Sequence, residues 1–303
     1  MSAKGDQSGQ ALVLTVVFLV SLLGMAALVL DVGSWYRSKR QLQSTADAAA
    51  LAGAQALPDT PGSASGLANQ YATANAPDLA SADFSISSNI VPNDRITVHV
   101  MRPAPGFFAK VFGINSVQVG ATATAQTEGM SQAKYVAPIV VNKQHPLLAG
   151  AGCPCLDQKT TIPLGKAGAP GAFDLINLDG SRGGTGQDTL ASWLLSGYQN
   201  SLGLGGYPSD TGAKWNSSEV HDALAQRIGT VLMFPVYDTL TGTGANASYN
   251  VIGWVGFYLE DFDARGSSGS ITGHFTEVVW DGLQQTTATQ TPNFGAHTVQ
   301  LVD

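Results

Sequence analysis

The chain has 303 residues, of which 44% are hydrophobic and only 12% are charged, and its formal net charge is −7. This length is sufficient for more than one domain. The 15 Lys and Arg residues form no basic patch, which argues against nucleic acid as a partner. Two cysteines are too few for a disulfide scaffold. The many small polar residues are typical of an exported protein.

An apolar run near the N-terminus, residues 11–30, contains no charge. About 20 helical residues at 1.5 Å rise each cover roughly 30 Å, the hydrocarbon thickness of a bilayer. The run is longer than the apolar region of a secretory signal peptide and ends without a small-residue cleavage site. We therefore predict a retained membrane anchor in the lipid bilayer. The residues that follow are typical of a membrane–water interface: Asp31, Trp35, Tyr36, Arg37, Lys39 and Arg40.

The helical pattern continues beyond the apolar run, because residues 41–57 are good helix formers and the next proline is Pro58. We predict one continuous helix over 10–57, membrane-spanning in its first half and amphipathic in its second. Small residues permit close approach of another helix or a sheet. Two interpretations stay open: packing on the protein's own β-sheet, or packing on partner helices. The residues concerned recur with heptad-like spacing and are called the small-residue stripe: Leu42, Ala46, Ala49, Gly53 and Ala56.

Residues 58–129 are predicted to form a small α+β module. The first helix of this module has Leu67 and Tyr71 on one face at i, i+4 spacing. Turn signals and alternation of apolar residues predict the elements. In chain order these are a loop at 59–65, a helix over 66–76, strands over 84–90 and 96–101, a short helix over 105–113 that Gly113 ends, and a strand over 117–127.

The remainder is predicted as a linker over 130–170, in which the apolar run 137–141 suggests a short strand, and a larger antiparallel β-rich domain over 171–303. Two helices accompany the strands, one over 188–198 and one over 217–228 with Ser217 as its N-cap. The fold class is therefore α+β. The buried side of the first helix is predicted to carry Leu190, Trp193, Leu194 and Leu195. The strands are predicted over 172–178, 230–238, 249–259, 270–280 and 296–302.

The linker contains Cys153-Pro154-Cys155, for which three interpretations stay open. The leading one is a local disulfide between Cys153 and Cys155 in an oxidising compartment. The others are two free or intermolecular thiols, and a redox or metal site. C-x-C alone is a weak metal signal, because a tetrahedral site needs four ligands and His145 is the one other candidate ligand nearby in the sequence.

Motifs that would indicate catalysis are missing from the sequence. The five histidines lack H-E-x-x-H spacing, and no G-x-S-x-G occurs. The glycine-rich segment 180–187 has Gln187 where a phosphate loop needs Lys, so we predict a flexible surface loop. The segment 261–266 begins like a calcium loop, but Thr272 stands where Glu is required, so we predict a solvated hairpin. We expect no catalytic residue, no cofactor, no metal site and no enzymatic activity.

The N-terminal segment resembles a known family through three consecutive stretches, Gly9–Leu12, Leu30–Gly33 and Gln41–Gly53. Together they resemble the start of TadE/TadG-like proteins of the Flp (Tad) pilus-assembly system. Pro105–Phe108 and Val117–Ala125 extend the resemblance into the small module 58–129, whose plan of helix and antiparallel sheet resembles that of pilin-like proteins. The resemblance implies a single-pass protein of the bacterial inner membrane that assembles or anchors a thin pilus. Its implied partners are Tad/Flp pilus-assembly or envelope proteins.

The sequence departs from the pattern of processed relatives at one position. Gly5 is followed five residues later by Gln10, where those relatives carry Glu. That carboxylate pairs with a neighbour's N-terminus in polymerising pilins, and Gln lacks the charge. This favours an uncleaved accessory protein. The alternative is a processed minor pilin (pseudopilin) subunit in the fibre, and a remote alternative is an exported enzyme. Asp179–Gly183 lacks the second Ser of the von Willebrand A metal motif that some members carry.

The charges that flank the apolar run conflict with the expected orientation. Lys4 precedes the run, whereas three cations follow it within ten residues. The positive-inside rule alone would place the large domains in the cytoplasm. Composition and the family resemblance place them outside. We predict a cytoplasmic tail over 1–9 and extracytoplasmic domains after the helix.

Overall fold

A computed structural model describes residues 8–149, 154–165, 168–210, 214–264, 269–280, 282–284 and 294–302. The described chain divides into two units. The first contains the residues up to Thr127 and those from Val299 onward, and the second contains Glu128–Thr298. The α+β class with a β-rich larger unit is confirmed.

Helix α1, Ser8–Ala54, dominates the first unit with 47 continuous residues. At 1.5 Å per residue it is about 70 Å long. The predicted continuous helix is confirmed, and its last predicted residues form turns, with the Leu57 N–H donating to Ala54 O at 3.1 Å. The large side chains of the apolar run 11–30 are exposed. Within the described part of the chain, α1 is the one helix long and apolar enough to cross a membrane.

The rest of the first unit packs against the second half of α1. Helix α2, Pro61–Asn75, lies on α1, and three antiparallel strands follow in the order β1-β2-β3. Ile96, Val98 and Val100 alternate along β2 as predicted and are fully buried. The bounds are Ser81–Ser87 for β1, Arg95–Pro105 for β2, Ala109–Phe112 for a 3-10 helix and Ser116–Ala133 for β3.

Two predictions for α2 are wrong. The helix begins at Pro61 instead of Gly66, since proline suits the first turn of a helix, where its missing N–H has no intrahelical acceptor. Its buried face consists of Ala64, Ala68 and Ala72, whereas Tyr71 is exposed. Small side chains on this face let α2 approach α1 closely, so size and not hydrophobicity selects the face.

The second unit is built on a seven-stranded sheet in the order β5-β11-β10-β8-β6-β4-β9. Strand β10 also pairs with β9, so β10, β8, β6, β4 and β9 form a closed ring of pairings. The strands are β4 Ile139–Asn142, β5 Lys159–Pro163, β6 Phe173–Ile176, β8 Gly205–Asp210, β9 Val231–Thr241, β10 Ser248–Asp263 and β11 Ser270–Thr276. The principal core of this unit includes the stacked rings of Phe234 and Phe257.

Shorter elements complete the second unit. Strands β7 and β13 pair with the last residues of β3, and β12 pairs in parallel with β14. Their bounds are β7 Leu202–Gly203, β12 Val278–Val279, β13 Gly282–Gln284 and β14 Ala296–Val302. The helices are α3 Pro146–Ala149, α4 Gln187–Ser196, α5 Ser218–Arg227 and a 3-10 turn at Gly244–Asn246.

Residues 130–170, predicted as a linker, belong to the second unit and contribute β4, α3 and β5. All four residues of β4 are buried, and the strand lies between β6 and β9. The short apolar run over 137–141 predicts this strand, but its position between β6 and β9 depends on pairings with residues distant in sequence.

The two predicted helices of this unit are confirmed with one correction. The Ser217 side chain accepts from the Val220 N–H at 3.3 Å, as predicted for an N-cap. The buried side of α4 is Leu190, Ala191 and Leu194, whereas Leu195 is exposed. An adjacent leucine pair cannot lie on one helical face, because successive residues are about 100° apart.

Candidate functional site

The small-residue stripe of α1 is buried inside the first unit. Leu42, Ala46 and Ala49 are fully buried, and Ala56 is nearly so. A Cβ added at Gly53 would lie 2.7 Å from Ile96 Cδ1, 3.0 Å from Ala64 O and 3.1 Å from Ala68 Cβ. The stripe therefore contacts α2 and β2 of its own unit. This geometry corresponds to the first of the two interpretations, packing on the protein's own sheet.

Strand β2 returns along α1 toward the apolar run. Its start is beside the far end of α1, as the Ile96–Gly53 proximity shows. Further along, Arg102 lies against the middle of α1, with its Nη2 donating to Gln41 Oε1 at 2.8 Å and its Nε to Ser38 Oγ at 3.0 Å. At the end of β2, Trp35 Nε1 donates to Pro105 O at 3.0 Å. The end of β2 therefore lies beside the start of the amphipathic half of α1.

Asp31, the first charged residue after the apolar run, meets the segment that follows β2. Only 2% of Asp31 is exposed. Its carboxylate accepts from the N–H groups of Phe107 at 2.8 Å, Phe108 at 3.0 Å and Ala109 at 2.5 Å. These N–H groups open the 3-10 helix, where no intrahelical acceptor exists for them. A carboxylate at a helix start forms charge-assisted bonds of this kind.

The segment 106–114, named here the Asp31-bound loop, is closed by its own hydrogen bonds. The Gly106 N–H donates to Asn115 O at 3.0 Å, and the Ile114 N–H donates to Ala109 O at 3.1 Å. Gly106 permits this closure, since a Cβ there would lie 2.6 Å from Ile114 O. Gly113 ends the turn with a φ of +84°, a left-handed conformation that favours glycine.

The helix that carries the stripe, Asp31 and the apolar run is also the segment that comparison with known families recognises. Residues 9–56 match the family model described as putative Flp pilus-assembly TadE/G-like. The resemblance of the N-terminal helix is therefore confirmed, and the match supports involvement in Flp pilus assembly. Comparison with curated proteins and with solved structures gave no significant match. The long apolar helix of this TadE/G-like segment fits a membrane anchor.

The roles of Asp31 and Arg102 in the fold were not predicted from the sequence. One signal was available for Asp31: a carboxylate directly after a membrane-spanning run needs strong hydrogen-bond partners. A glycine-bounded turn of backbone N–H groups, Gly106–Gly113, could have been proposed as that partner. Arg102 gave no such signal, because Asp78 and the polar residues of α1 come together only through the fold; its Nη1 is 3.2 Å from Asp78 Oδ1.

Cys155 is disulfide-bonded. Cys153, the other half of the predicted pair, lies outside the described residues, so the pairing itself stays a prediction. The Cys155 N–H donates to Leu147 O at 2.8 Å, which fixes this segment to the short helix α3.

The histidines of the second unit make packing and surface contacts. His145 is buried, its Nδ1 accepts from the Leu147 N–H at 3.2 Å, and its ring meets the edge of Phe275. Burial lowers the pKa of His145. His274 Nδ1 is 3.2 Å from Glu260 Oε1. Hydrogen bonding from Lys159 lowers the pKa of Glu260.

The glycine-rich segment 180–187 begins as an exposed loop, as predicted, and is fixed to the sheet at Thr185. Thr185 is buried, and its N–H donates to Asp210 Oδ2 at 3.1 Å while its hydroxyl donates to the same oxygen. Lys214 Nζ pairs with Asp210 Oδ1 at 3.1 Å. The sequence could not show this, because Asp210 comes from β8, a strand that was not predicted.

The two motif-like segments have ordinary strand and turn geometry where they are described. Asp261 and Asp263 are exposed residues at the end of β10, whereas Arg265 and Gly266 lie outside the described residues. Asp179 accepts from the Ser181 N–H at 2.7 Å, which stabilises its own turn.

A buried polar cluster from three distant strands was also missed. Asp174 on β6 is 8% exposed and accepts from the Gly168 N–H at 3.3 Å. The rings of Tyr237 and Tyr249 meet edge to face at 4.7 Å. Burial raises the pKa of Asp174 and of both tyrosines. The ionised forms of these three groups are therefore disfavoured in the folded unit.

Proposed function

We propose that the chain is an uncleaved, membrane-anchored accessory protein of Flp/Tad-type pilus assembly. Its role is non-enzymatic: helix α1 anchors the protein, and the two units serve as a scaffold for pilus-assembly or envelope proteins outside the cytoplasm. The observation that carries the proposal is the family match over residues 9–56, which coincides with α1.

Helix α1 has an exposed first half and a second half packed against the first unit, and this division supports an anchoring role. The exposed half is the apolar run 11–30, which suits lipid. The second half is covered by α2 and β2, so its stripe is engaged within the protein. Gln10, in the place of a pilin carboxylate, supports permanent anchoring over polymerisation.

Deletion and complementation test the pilus role. Cells that lack the chain should display few or no Flp-type pili, and the intact chain should restore the wild-type number. A variant with Leu19→Arg and Leu22→Arg should fail to restore pili, because a charge at the centre of a spanning helix costs roughly 3 kcal/mol per residue. Gly66→Ala, at an exposed glycine with open space around it, is the matched control and should restore pili. Unchanged pilus numbers in the deletion strain would refute the role.

Orientation is tested by adding protease to spheroplasts, in which the outer layers of the envelope no longer shield the inner membrane. Extracytoplasmic units should be cut from outside, whereas a cytoplasmic chain would stay intact until the cells are lysed. The alternative function, a processed minor pilin, predicts instead that the chain appears in sheared fibres and is shortened at its N-terminus.

A further inference from the structure

The Asp31-bound loop exposes an unusual concentration of large apolar side chains. Val111 is 84% exposed and Phe112 is 83% exposed. Single exposed apolar residues are normal on a soluble surface, but contiguous patches mark interaction sites. The exposed apolar side chains of the loop are Phe107, Phe108, Val111, Phe112 and Ile114.

The loop lies beside the point where α1 leaves its apolar run. Asp31 directly follows the last apolar residue, Leu30, and binds the N–H groups of residues 107–109. Trp35, about 6 Å further along α1 by helical rise, binds Pro105 O. Wherever the apolar run meets the bilayer surface, the start of the loop therefore lies close to that depth.

The loop holds these side chains out in a fixed conformation. The Gly106–Asn115 and Ile114–Ala109 hydrogen bonds close it, and the Asp31 carboxylate satisfies its first N–H groups. A preformed loop loses little conformational entropy when its side chains enter another phase.

We propose that the Asp31-bound loop inserts its apolar side chains into the bilayer interface beside α1, as a second membrane contact of the first unit. Lipid is the occupant because Asp31, the residue next to the apolar run, binds the start of the loop. Exposed Arg37, Lys39, Arg40 and Lys110 accompany the aromatic rings, and this mixture suits anionic headgroups above an apolar layer. A second contact fixes the tilt and rotation of α1. The inference rests on the anchor part of the proposed function and not on pilus assembly.

Site-specific photocrosslinking tests the insertion. The purified full chain is placed, one copy per disc, in nanodiscs of phosphatidylglycerol and phosphatidylethanolamine. A benzoylphenylalanine replaces Phe112, Phe18 in the apolar run, or Ile90. Ile90 is exposed and is near the start of β2, which lies beside Gly53, about 33 Å along α1 from Asp31. Illumination should add the mass of one phospholipid at positions 18 and 112 and not at 90.

Each outcome decides a separate point. An adduct at 18 without one at 112 overturns the loop contact and leaves the anchor in place. No adduct at 18 contradicts the anchor itself, and the loop inference falls with it. Equal labelling at 90 and 112 would mean unspecific reaction and also overturns the inference. Because the Phe112 side chain is almost fully exposed, its replacement removes no core packing. In intact cells, a crosslink from position 112 to a protein instead of a lipid would also refute the insertion of the loop into the bilayer.

Discussion

Replacement of Gly53 tests whether the small-residue stripe is internal packing or a partner surface. The structure predicts that Gly53→Leu destabilises the first unit, because even a Cβ would lie 2.7 Å from Ile96 Cδ1 and 3.0 Å from Ala64 O. A stripe reserved for partner helices predicts the opposite result: a folded unit that fails in assembly.

The expected magnitude follows from the identity of the crowded atoms. Overpacking a core by a few atoms costs about 1–3 kcal/mol. For Gly53→Ala, a gain of about 1 kcal/mol in helix propensity offsets part of this cost, so a net loss of about 0–2 kcal/mol is expected. Gly53→Leu adds three more carbons against the Ala64 backbone and should cost about 3 kcal/mol or more.

Hydrogen–deuterium exchange of the full chain in detergent micelles provides a local measurement. If the free energy of opening of the first unit falls by about 1–3 kcal/mol, amide exchange in peptides from β2 and α2 should become roughly 5- to 150-fold faster, where opening limits exchange. Peptides from β9 and β10 of the second unit serve as an internal reference. Gly66→Leu is the matched control, since a side chain there meets open space on the outer face of α2.

A double variant sharpens the test. Ile96→Val removes Cδ1, the atom closest to the added Cβ, and alone costs about 0.5–1.5 kcal/mol. The double variant Gly53→Ala with Ile96→Val should cost less stability than the sum of the two single-variant costs, because the valine relieves the contact with the added Cβ. Unchanged exchange in Gly53→Leu, together with lost pili, would refute internal packing and restore the partner interpretation.

Three further predictions concern Asp31 and two buried titratable groups. Asp31→Ala should speed amide exchange within residues 106–114, whose first N–H groups lose their acceptor, and leave β9 peptides unchanged; equal exchange in variant and wild type would refute the capping role. Burial lowers the pKa of His145 below its ordinary 6.5, so its stability contribution is present above 6.5 and is lost as pH falls below it. Between pH 7.5 and 5 the wild type should therefore lose more Tm than His145→Gln, and equal losses would contradict this. Burial raises the pKa of Asp174 above 3.8, so ionisation opposes folding as pH rises. From pH 4 to 7 the wild type should lose more Tm than Asp174→Asn, and the opposite sign would refute the assignment.

The sequence correctly predicted the elements that are determined by residues close together in the chain. The continuous helix could be predicted because it combines a 20-residue apolar run with good helix formers and has no early proline. The alternation of Ile96, Val98 and Val100 fixed the buried face of β2. Ser217 marked the start of α5 through the ordinary capping chemistry of serine.

The errors come from contacts between residues distant in sequence. The buried face of α2 is decided by Gly53 on α1, which selects Ala64 and Ala68 over the larger Leu67. The apolar run of β4 indicated a strand, but its place between β6 and β9 depends on pairings with distant residues. The Asp31 contact joins residues about 76 positions apart through backbone N–H groups, which carry no side-chain signature in the sequence.

The N-terminal mass of the mature chain tests the central claim most directly. The chain should be isolated from the membrane fraction and from sheared fibres of piliated cells, and its N-terminal peptide identified by mass spectrometry. An uncleaved accessory anchor predicts a peptide that retains Lys4 and Gly5, found in the membrane fraction. A chain that begins at Asp6 or Gln10 and is recovered from the fibres would contradict the proposed function and establish a processed pilin subunit.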